Sequence, residues 1–115
     1  MRQNMASKLT KEPLGDCYEV HTKAILEGHD GVLCHGTVYH PSVGWHGHCW
    51  IEEGDGDIVI DYSNGHCAAL RKERYYEAGR VKDVKKYNTE EVRELTLQEG
   101  TYGPWNEKEK EELLD

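Results

Sequence analysis

The chain has 115 residues, and its 22 acidic residues outnumber its 14 basic ones, which gives a formal net charge of −8 at pH 7. This length suits one domain with a single hydrophobic core. Because negative charge repels phosphate groups, we expect neither nucleic acid nor an anionic membrane surface as a partner. No stretch approaches the roughly 20 apolar residues of a membrane span, and the N-terminus has no apolar run of the signal-peptide kind. The composition therefore predicts a soluble, cytoplasmic protein.

The chain divides into three segments by composition. Residues 1–14 are polar and without periodicity, which indicates a flexible lead-in. Residues 15–106 hold the apolar patterns of one domain, and residues 107–115 form a charged tail. No internal repeat is visible, so the domain is not a solenoid.

The first predicted element is a helix in GDCYEVHTKAILEGHDG. Asp16 can cap its N-terminus, with Glu19 three residues later completing a capping box, and Gly28 can end it in a left-handed conformation. This boundary places Cys17 at the first helical position, one turn before His21.

The middle of the chain is predicted to be β. GVLCHGTVYH indicates a strand that ends at Pro41, and PSVGWHG indicates a loop. GHCWIEEGDGDIVID, residues 47–61, then has two apolar-polar runs around a Gly/Asp turn, which is typical of a hairpin. YSNG after it indicates another turn.

The hairpin brings two polar side chains together if its turn is the four residues 53–56. Ile51 then faces Ile58 on one face of the sheet, and His48 faces Asp61 on the other. Facing Cβ atoms are roughly 4.5–5.5 Å apart, which suits an imidazole–carboxylate hydrogen bond. His46 is the alternative partner of Asp61.

The last third is predicted to return to helix. AALRKERYYEAG ends at Gly79, and NTEEVRELTLQEG begins with Asn88 or Thr89 as its cap and stops at Gly100. The predicted fold class is α+β, with an N-terminal helix packed on a small antiparallel sheet and followed by C-terminal helices.

Cys17, His48 and Asp61 have the residue types of a catalytic triad. The positive end of a helix dipole and a neighbouring imidazolium both stabilise a thiolate, the reactive form of cysteine. Cys17 would then be the nucleophile, His48 the general base and later acid, and Asp61 the residue that orients the imidazole. A catalytic Cys17 should lie beside the imidazole and open to solvent. The alternatives are a buried structural cysteine and an ordinary polar pair across a hairpin.

The order of these motifs resembles the papain-like cysteine enzymes, and within that superfamily the transglutaminase-like branch. That branch has a cysteine at a helix start, a histidine in an H-x-W-[VI]-E strand and an aspartate that ends the following strand. His48 to Glu52 and Asp61 match this pattern, and Cys17 matches the nucleophile. The chain is also similar to small uncharacterised phage and bacterial proteins with motifs like those at residues 15–18, 47–52, 59–65, 75–76 and 102–105. The resemblance covers about residues 15–106.

This resemblance implies a minimal papain/transglutaminase-like core and acyl transfer at an amide of a protein or peptide substrate, without a cofactor. Peptidase, deamidase and transglutaminase reactions remain open, as do the oligomeric state and activity itself. Three further residues are candidates for the site wall or for substrate contact: Trp50 on the strand face of His48, Asn64 beyond Asp61, and Tyr18 beside Cys17. Packing is the alternative role of Trp50, and turn formation that of Asn64. The resemblance also implies the cytoplasm of a bacterial or phage-infected cell.

Two rival functions belong to other classes. The first is a catalytically inactive binding or inhibitor protein of the phage type on the same fold. The second is a small zinc-binding protein, with Cys34, His48, His66 and Cys67 as the candidate ligands. The spacing of the four cysteines contains no C-x-x-C pair, and without a secretory signal they should stay reduced.

Overall fold

The computed structural model describes residues 16–63 and 67–105. Within them the chain forms an α+β fold, as the sequence predicts. In chain order the elements are α1 (Cys17–Leu26), β1 (Val32–His40), β2 (Gly44–Glu53), β3 (Ile58–Asp61), β4 (Ala68–Arg71), α2 (Lys72–Gly79), β5 (Lys82–Tyr87) and α3 (Thr89–Glu99). The five strands form an antiparallel sheet in the order β4-β3-β2-β1-β5.

The sheet has a hydrophobic cluster on each face. Alternate residues of a strand point to opposite faces, so neighbours in β2 separate. Ile51 packs with residues of α1 and α3, among them Ile25 and Val92. Trp50 packs on the other face with the residues of β1 and β3 that point the same way, and against Tyr75 of α2. The fold thus has α1 and α3 on one side of the sheet and α2 on the other.

The two longest helices begin differently. Asn88 has an extended backbone, its side chain accepts the N–H of Glu91 at 2.8 Å, and its own N–H donates to the Glu91 carboxylate at 2.9 Å. This capping box, and the left-handed Gly100 that ends α3, confirm the sequence prediction. The capping box predicted for α1 is wrong: Asp16 has a helical backbone conformation and makes no capping hydrogen bond. A capping side chain needs an extended backbone at that position to reach the first N–H groups.

The hairpin register also differs from the prediction. Ile51 pairs with Ile60 instead of Ile58, and Glu53 pairs with Ile58, so the whole register is shifted by two residues. The shift moves Asp57 out of the strand ladder and into the turn, where its carbonyl accepts the N–H of Lys72 at 2.9 Å. A shift of two preserves the face of every side chain, whereas a shift of one would have reversed it. His48 and Asp61 therefore stay on one face, as diagonal rather than directly facing neighbours.

Two segments predicted as loop or helix, and one that carried no prediction, are strands. Residues 44–47 belong to β2, so the predicted loop shrinks to residues 41–43. AALR forms β4 and pairs with β3, and the helix predicted from these residues begins only at Lys72. KDVKKY forms β5 at the edge of the sheet, where its lysines discourage pairing with another chain. The turn predicted at YSNG falls partly outside the described residues.

In the described part of the chain, each helix is too short or too polar to cross a lipid bilayer.

Candidate active site

His48 and Asp61 meet where the pairing between β2 and β3 ends. In the described chain, β2 pairs with β3 only from Ile51 to Glu53, although β2 itself begins at Gly44. The residues of β2 from Gly44 to Trp50 therefore have β1 on one side and an unpaired edge on the other, which we call the β2–β3 opening. The His48 side chain bridges it, with Nε2 3.1 Å from Asp61 Oδ2. The structure thus pairs Asp61 with His48; the alternative, His46, points its Nδ1 to the carbonyl of Gly44 at 3.0 Å.

Cys17 begins α1 and interacts with His48. Its thiol is one of the neighbours that raise the pKa of His48. Because Nε2 of His48 faces Asp61, Nδ1 is the nitrogen left for the thiol. That atom is buried and has no well-formed hydrogen bond within residues 16–63 and 67–105, so its interaction with the thiol is poorly aligned. Thiol, imidazole and carboxylate therefore follow one another in the predicted order.

The expected opening of Cys17 to solvent is absent. The residue is 0% exposed and belongs to the cluster between α1 and the sheet. His48 and Asp61 are less enclosed, with 15% of each side chain exposed. A substrate can thus approach the imidazole more readily than the sulfur, and an attack by Cys17 requires a local rearrangement.

The electrostatics of the site favour an imidazolium. Burial alone would lower the pKa of His48, but hydrogen bonds with Asp61 and Cys17, together with their charges, raise it to about 10. Burial would raise the pKa of Asp61, yet its hydrogen bonds with His48, Ser63 and Tyr75 hold this pKa well below the ordinary range. At neutral pH the pair is therefore a carboxylate facing an imidazolium.

Three further donors, from two residues, fix the Asp61 carboxylate. The Tyr75 hydroxyl of α2 donates to Oδ2 at 2.6 Å, and the Ser63 backbone N–H donates to Oδ1 at 2.8 Å. The Ser63 hydroxyl donates to the same Oδ1. With both oxygens accepting several hydrogen bonds, the carboxylate has little freedom to turn away from His48.

His21 connects α1, which Cys17 begins, to the strand end that carries Asp61. Its Nδ1 lies 2.7 Å from the carbonyl of Cys17, and its Nε2 accepts the backbone N–H of Tyr62 at 2.9 Å. The second bond requires an unprotonated Nε2, so Nδ1 carries the proton and donates. Burial lowers the pKa of His21, which favours this neutral form. His21 is thus a positioning residue, because its two hydrogen bonds fix Cys17 relative to Tyr62 and Asp61.

His21 and Tyr75 are the site residues that the sequence analysis missed. The i, i+4 spacing from Cys17 was a usable signal for His21, since it places both residues on one helix face. Tyr75 had no comparable signal, because only the packing of α2 against the sheet brings its hydroxyl to Asp61.

The three residues predicted to form the site wall or to contact substrate differ in where they lie. Trp50 is fully buried and lies beside the His48 ring, with centroids 6.1 Å apart and planes 29° from parallel. It therefore both packs and walls the site. The Tyr18 ring packs edge-on against His35 in the core rather than facing His48. Asn64 lies outside the described residues.

The zinc alternative gains no support in residues 16–63 and 67–105, where no group of three or more His, Cys, Asp or Glu side chains has an arrangement that could hold a metal ion. Cys34 is buried on the α2 side of the sheet, and Cys67 is exposed. His66 lies outside the described residues. The cysteines of the described chain are all free thiols.

Comparisons with protein-family models, with curated proteins and with solved structures give no match to this chain. A function must therefore be inferred from the site itself.

Proposed function

We propose that this protein is a cysteine-dependent acyl-transfer enzyme of papain-like and transglutaminase-like type that acts on an amide. Cys17 is the nucleophile, His48 the general acid and base, and Asp61 the residue that orients and charges the imidazole. The observation that supports this most is the sequence of contacts from the thiol through His48 to Asp61. A cysteine with a purely structural role needs no imidazole beside it. An ordinary polar pair across a hairpin needs no thiol beside its histidine.

The chemistry follows from the charges of these groups. The Cys17 sulfur attacks the amide carbonyl carbon and forms a C–S bond, while the imidazolium of His48 gives its proton to the leaving nitrogen as the C–N bond breaks. The resulting thioester is then attacked by water or by an amine, whose proton His48 accepts. Water gives hydrolysis or deamidation, and an amine gives a new amide. Both outcomes use the same first step.

The buried position of Cys17 adds one requirement. The sulfur must become exposed before it can reach a carbonyl, so the groups at the start of α1 have to open transiently in the folded protein. Such opening admits a small reagent as well as a substrate, and comparable motions gate many enzyme sites.

Alkylation with iodoacetamide tests this proposal. In the folded protein at pH 6 to 7, Cys17 should be carboxamidomethylated faster than exposed Cys67, because a thiolate reacts and a thiol does not. Buried Cys34 and Cys49 serve as internal controls that should react only after unfolding. Peptide mass spectrometry of timed samples gives the rate at each position. If Cys17 reacts only after denaturation, the enzyme proposal fails.

One observation favours a second candidate, a binding or inhibitor protein on the same fold without turnover. Complete burial of the Cys17 side chain is what a structural cysteine shows. This candidate predicts slow alkylation of Cys17 at every pH that preserves the fold, and unchanged binding of the partner by a Cys17→Ala variant.

A further inference from the structure

A cavity of about 530 Å³ lies against His48. The end of β1, the β1–β2 turn, the start of β2, β4 and α2 all contribute to its wall. Its apolar and aromatic lining consists of Val38, Tyr39, Val43, Leu70, Tyr75 and Ala78. This volume falls in the range of small-molecule sites, which are lined mainly by apolar side chains with a few polar groups.

The cavity continues directly into the proposed active site. His48 and Tyr75 belong to its wall, and both contact the Asp61 carboxylate, at 3.1 and 2.6 Å. The cavity lies at the β2–β3 opening, where β2 lacks a partner strand. Cys17 is not part of the described wall and belongs to the cluster between α1 and the sheet. A group that fills the cavity would therefore hold the adjoining amide beside the imidazole.

Charge limits what the cavity can hold. Its described lining includes neither a carboxylate nor a lysine or arginine. Of its three histidines, His46 is kept neutral because burial lowers its pKa, and the charge of His48 is balanced by Asp61. A charged side chain placed here would lose its hydration without gaining an opposite charge.

Two exposed apolar side chains mark the rim. Leu70 is 42% exposed and Val43 47% exposed, both unusually accessible for large apolar residues of a sheet protein. An apolar rim around an apolar cavity is a feature of ligand-binding grooves.

We propose that this cavity is the subsite that selects the acyl donor, and that it takes an uncharged apolar or aromatic side chain adjoining the amide that is attacked. This inference rests on the proposed function. It names the substrate class: peptides with a bulky apolar residue at the reacting position, in preference to acidic or basic ones.

Chloromethyl ketones of three benzyloxycarbonyl amino acids test the subsite, namely those of phenylalanine, lysine and glutamate. Rates of modification are measured by mass spectrometry and divided by the rate of each reagent with N-acetylcysteine. The cavity predicts that the phenylalanine reagent is about tenfold or more faster than both others. The net charge of −8 would instead rank lysine first, so that order would overturn the proposal.

Matched variants separate the cavity from general surface effects. Ala78→Trp fills the cavity from an exposed position of α2, and Glu77→Trp places the same side chain one residue earlier, outside the lining. Ala78→Trp should abolish the preference for phenylalanine, and Glu77→Trp should change neither this preference nor the iodoacetamide rate. If Ala78→Trp and Glu77→Trp show the same preference for the phenylalanine reagent, the proposal is overturned. Circular dichroism confirms that each variant is folded.

Failure of the subsite and failure of the enzyme proposal give different results. If iodoacetamide labels Cys17 but the three ketones react alike, only the subsite is wrong. If the phenylalanine ketone is preferred but modifies His48 instead of Cys17, the subsite stands and the nucleophile is wrong. If nothing reacts, NMR titration with N-acetyl-phenylalaninamide decides: amide shifts at Val38 and Ala78 support the cavity, and their absence overturns it.

Discussion

Two carboxylates on the same face of the sheet differ in their partners. Glu52, only 2% exposed, lies 3.0 Å from the Lys86 ammonium, and its other oxygen accepts from Trp50 Nε1 at 3.2 Å and from the Tyr76 hydroxyl at 2.5 Å. Asp61 accepts from His48 and, through the same kind of bond, from a neighbouring tyrosine of α2. Both cations are charged at neutral pH, but the pKa of His48, raised to about 10, is lower than that of Lys86, which is raised above its ordinary value, so the imidazolium gives up its proton more readily.

This difference separates a structural carboxylate from one suited to chemistry. Both side chains have lowered pKa values, because donors and a cation outweigh the burial that would raise them. A lowered pKa alone therefore does not identify a functional carboxylate. The two carboxylates differ in how a thiol is placed: the imidazole partner of Asp61 interacts with Cys17, whereas Glu52 itself interacts with Cys34, a thiol whose pKa burial raises.

The two carboxylates should differ most in their effect on the alkylation rate of Cys17. Asp61→Asn leaves His48 without its counter-charge and should lower the alkylation rate of Cys17 at pH 6.5 by about 100- to 10,000-fold, the range seen when the orienting carboxylate of a triad is neutralised. Glu52→Gln makes the same chemical change at the other carboxylate and should leave the rate within about twofold. Timed iodoacetamide labelling measures both. Equal losses in the two variants would mean that Asp61 supports only the fold.

The pH dependence of stability should show the second largest difference. Since the pKa of His48 is raised to about 10 in the folded state, its stabilising contribution is complete below the unfolded value of about 6.5 and is lost as the pH rises toward 10. The free energy of unfolding should fall by a few kcal/mol over this window. Over the same pH range Lys86 keeps its charge, because the hydrogen bond with Glu52 raises its pKa, so the Glu52–Lys86 pair should not contribute to the decline.

Urea unfolding between pH 6 and 10 measures this loss. Glu52→Gln should show the same decline as the unmodified chain. His48→Asn should show a much smaller decline, which remains because burial raises the pKa of the Cys34 thiol. His29→Asn, at a histidine that contacts Tyr62 and Glu53 instead, is the matched control and should retain the full decline. An undiminished decline in His48→Asn would assign it to another group.

At neutral pH, Glu52→Gln should itself destabilise the protein by about 1–3 kcal/mol, because it replaces charge-assisted hydrogen bonds to Trp50 and Tyr76 with neutral ones. The loss of the ion pair with Lys86 adds little to this cost, because the Lys86 side chain is 47% exposed and its ammonium stays hydrated. Urea unfolding at pH 7 measures the change. Stability equal to that of the unmodified chain would show that water already screens the Glu52–Lys86 pair.

The sequence predicts that His48 and Asp61 lie together, but it does not predict the groups that pack around them. The period of two fixes which residues share a strand face, so His48 and Asp61 were placed together although the register was wrong by two. Cys17 was placed at its helix start by local punctuation. Local pattern carries no information on how α1 and α2 pack against the sheet, and this packing determines both the burial of Cys17 and the hydroxyl that reaches Asp61.

The strand AALR shows the same limit for the fold. Ala, Leu and Arg are among the strongest helix formers, so propensity predicts that the helix begins before Lys72. Pairing of these four residues with β3 outweighs that preference. The gain comes from backbone hydrogen bonds and packing against a neighbouring strand, which the helix propensities of single residues do not include.

The smallest expected effects distinguish the two adjacent tyrosines of α2. Tyr75→Phe and Tyr76→Phe each remove one hydroxyl bound to a buried carboxylate, and each should cost about 1–3 kcal/mol of stability. Tyr75→Phe should also slow alkylation of Cys17 severalfold, because the Asp61 carboxylate loses a donor that holds it toward His48. Tyr76→Phe should leave that rate unchanged, since its partner is Glu52. Paired measurements of unfolding and labelling on the two variants test this, and a slower rate in Tyr76→Phe would show that the two carboxylates are coupled through α2.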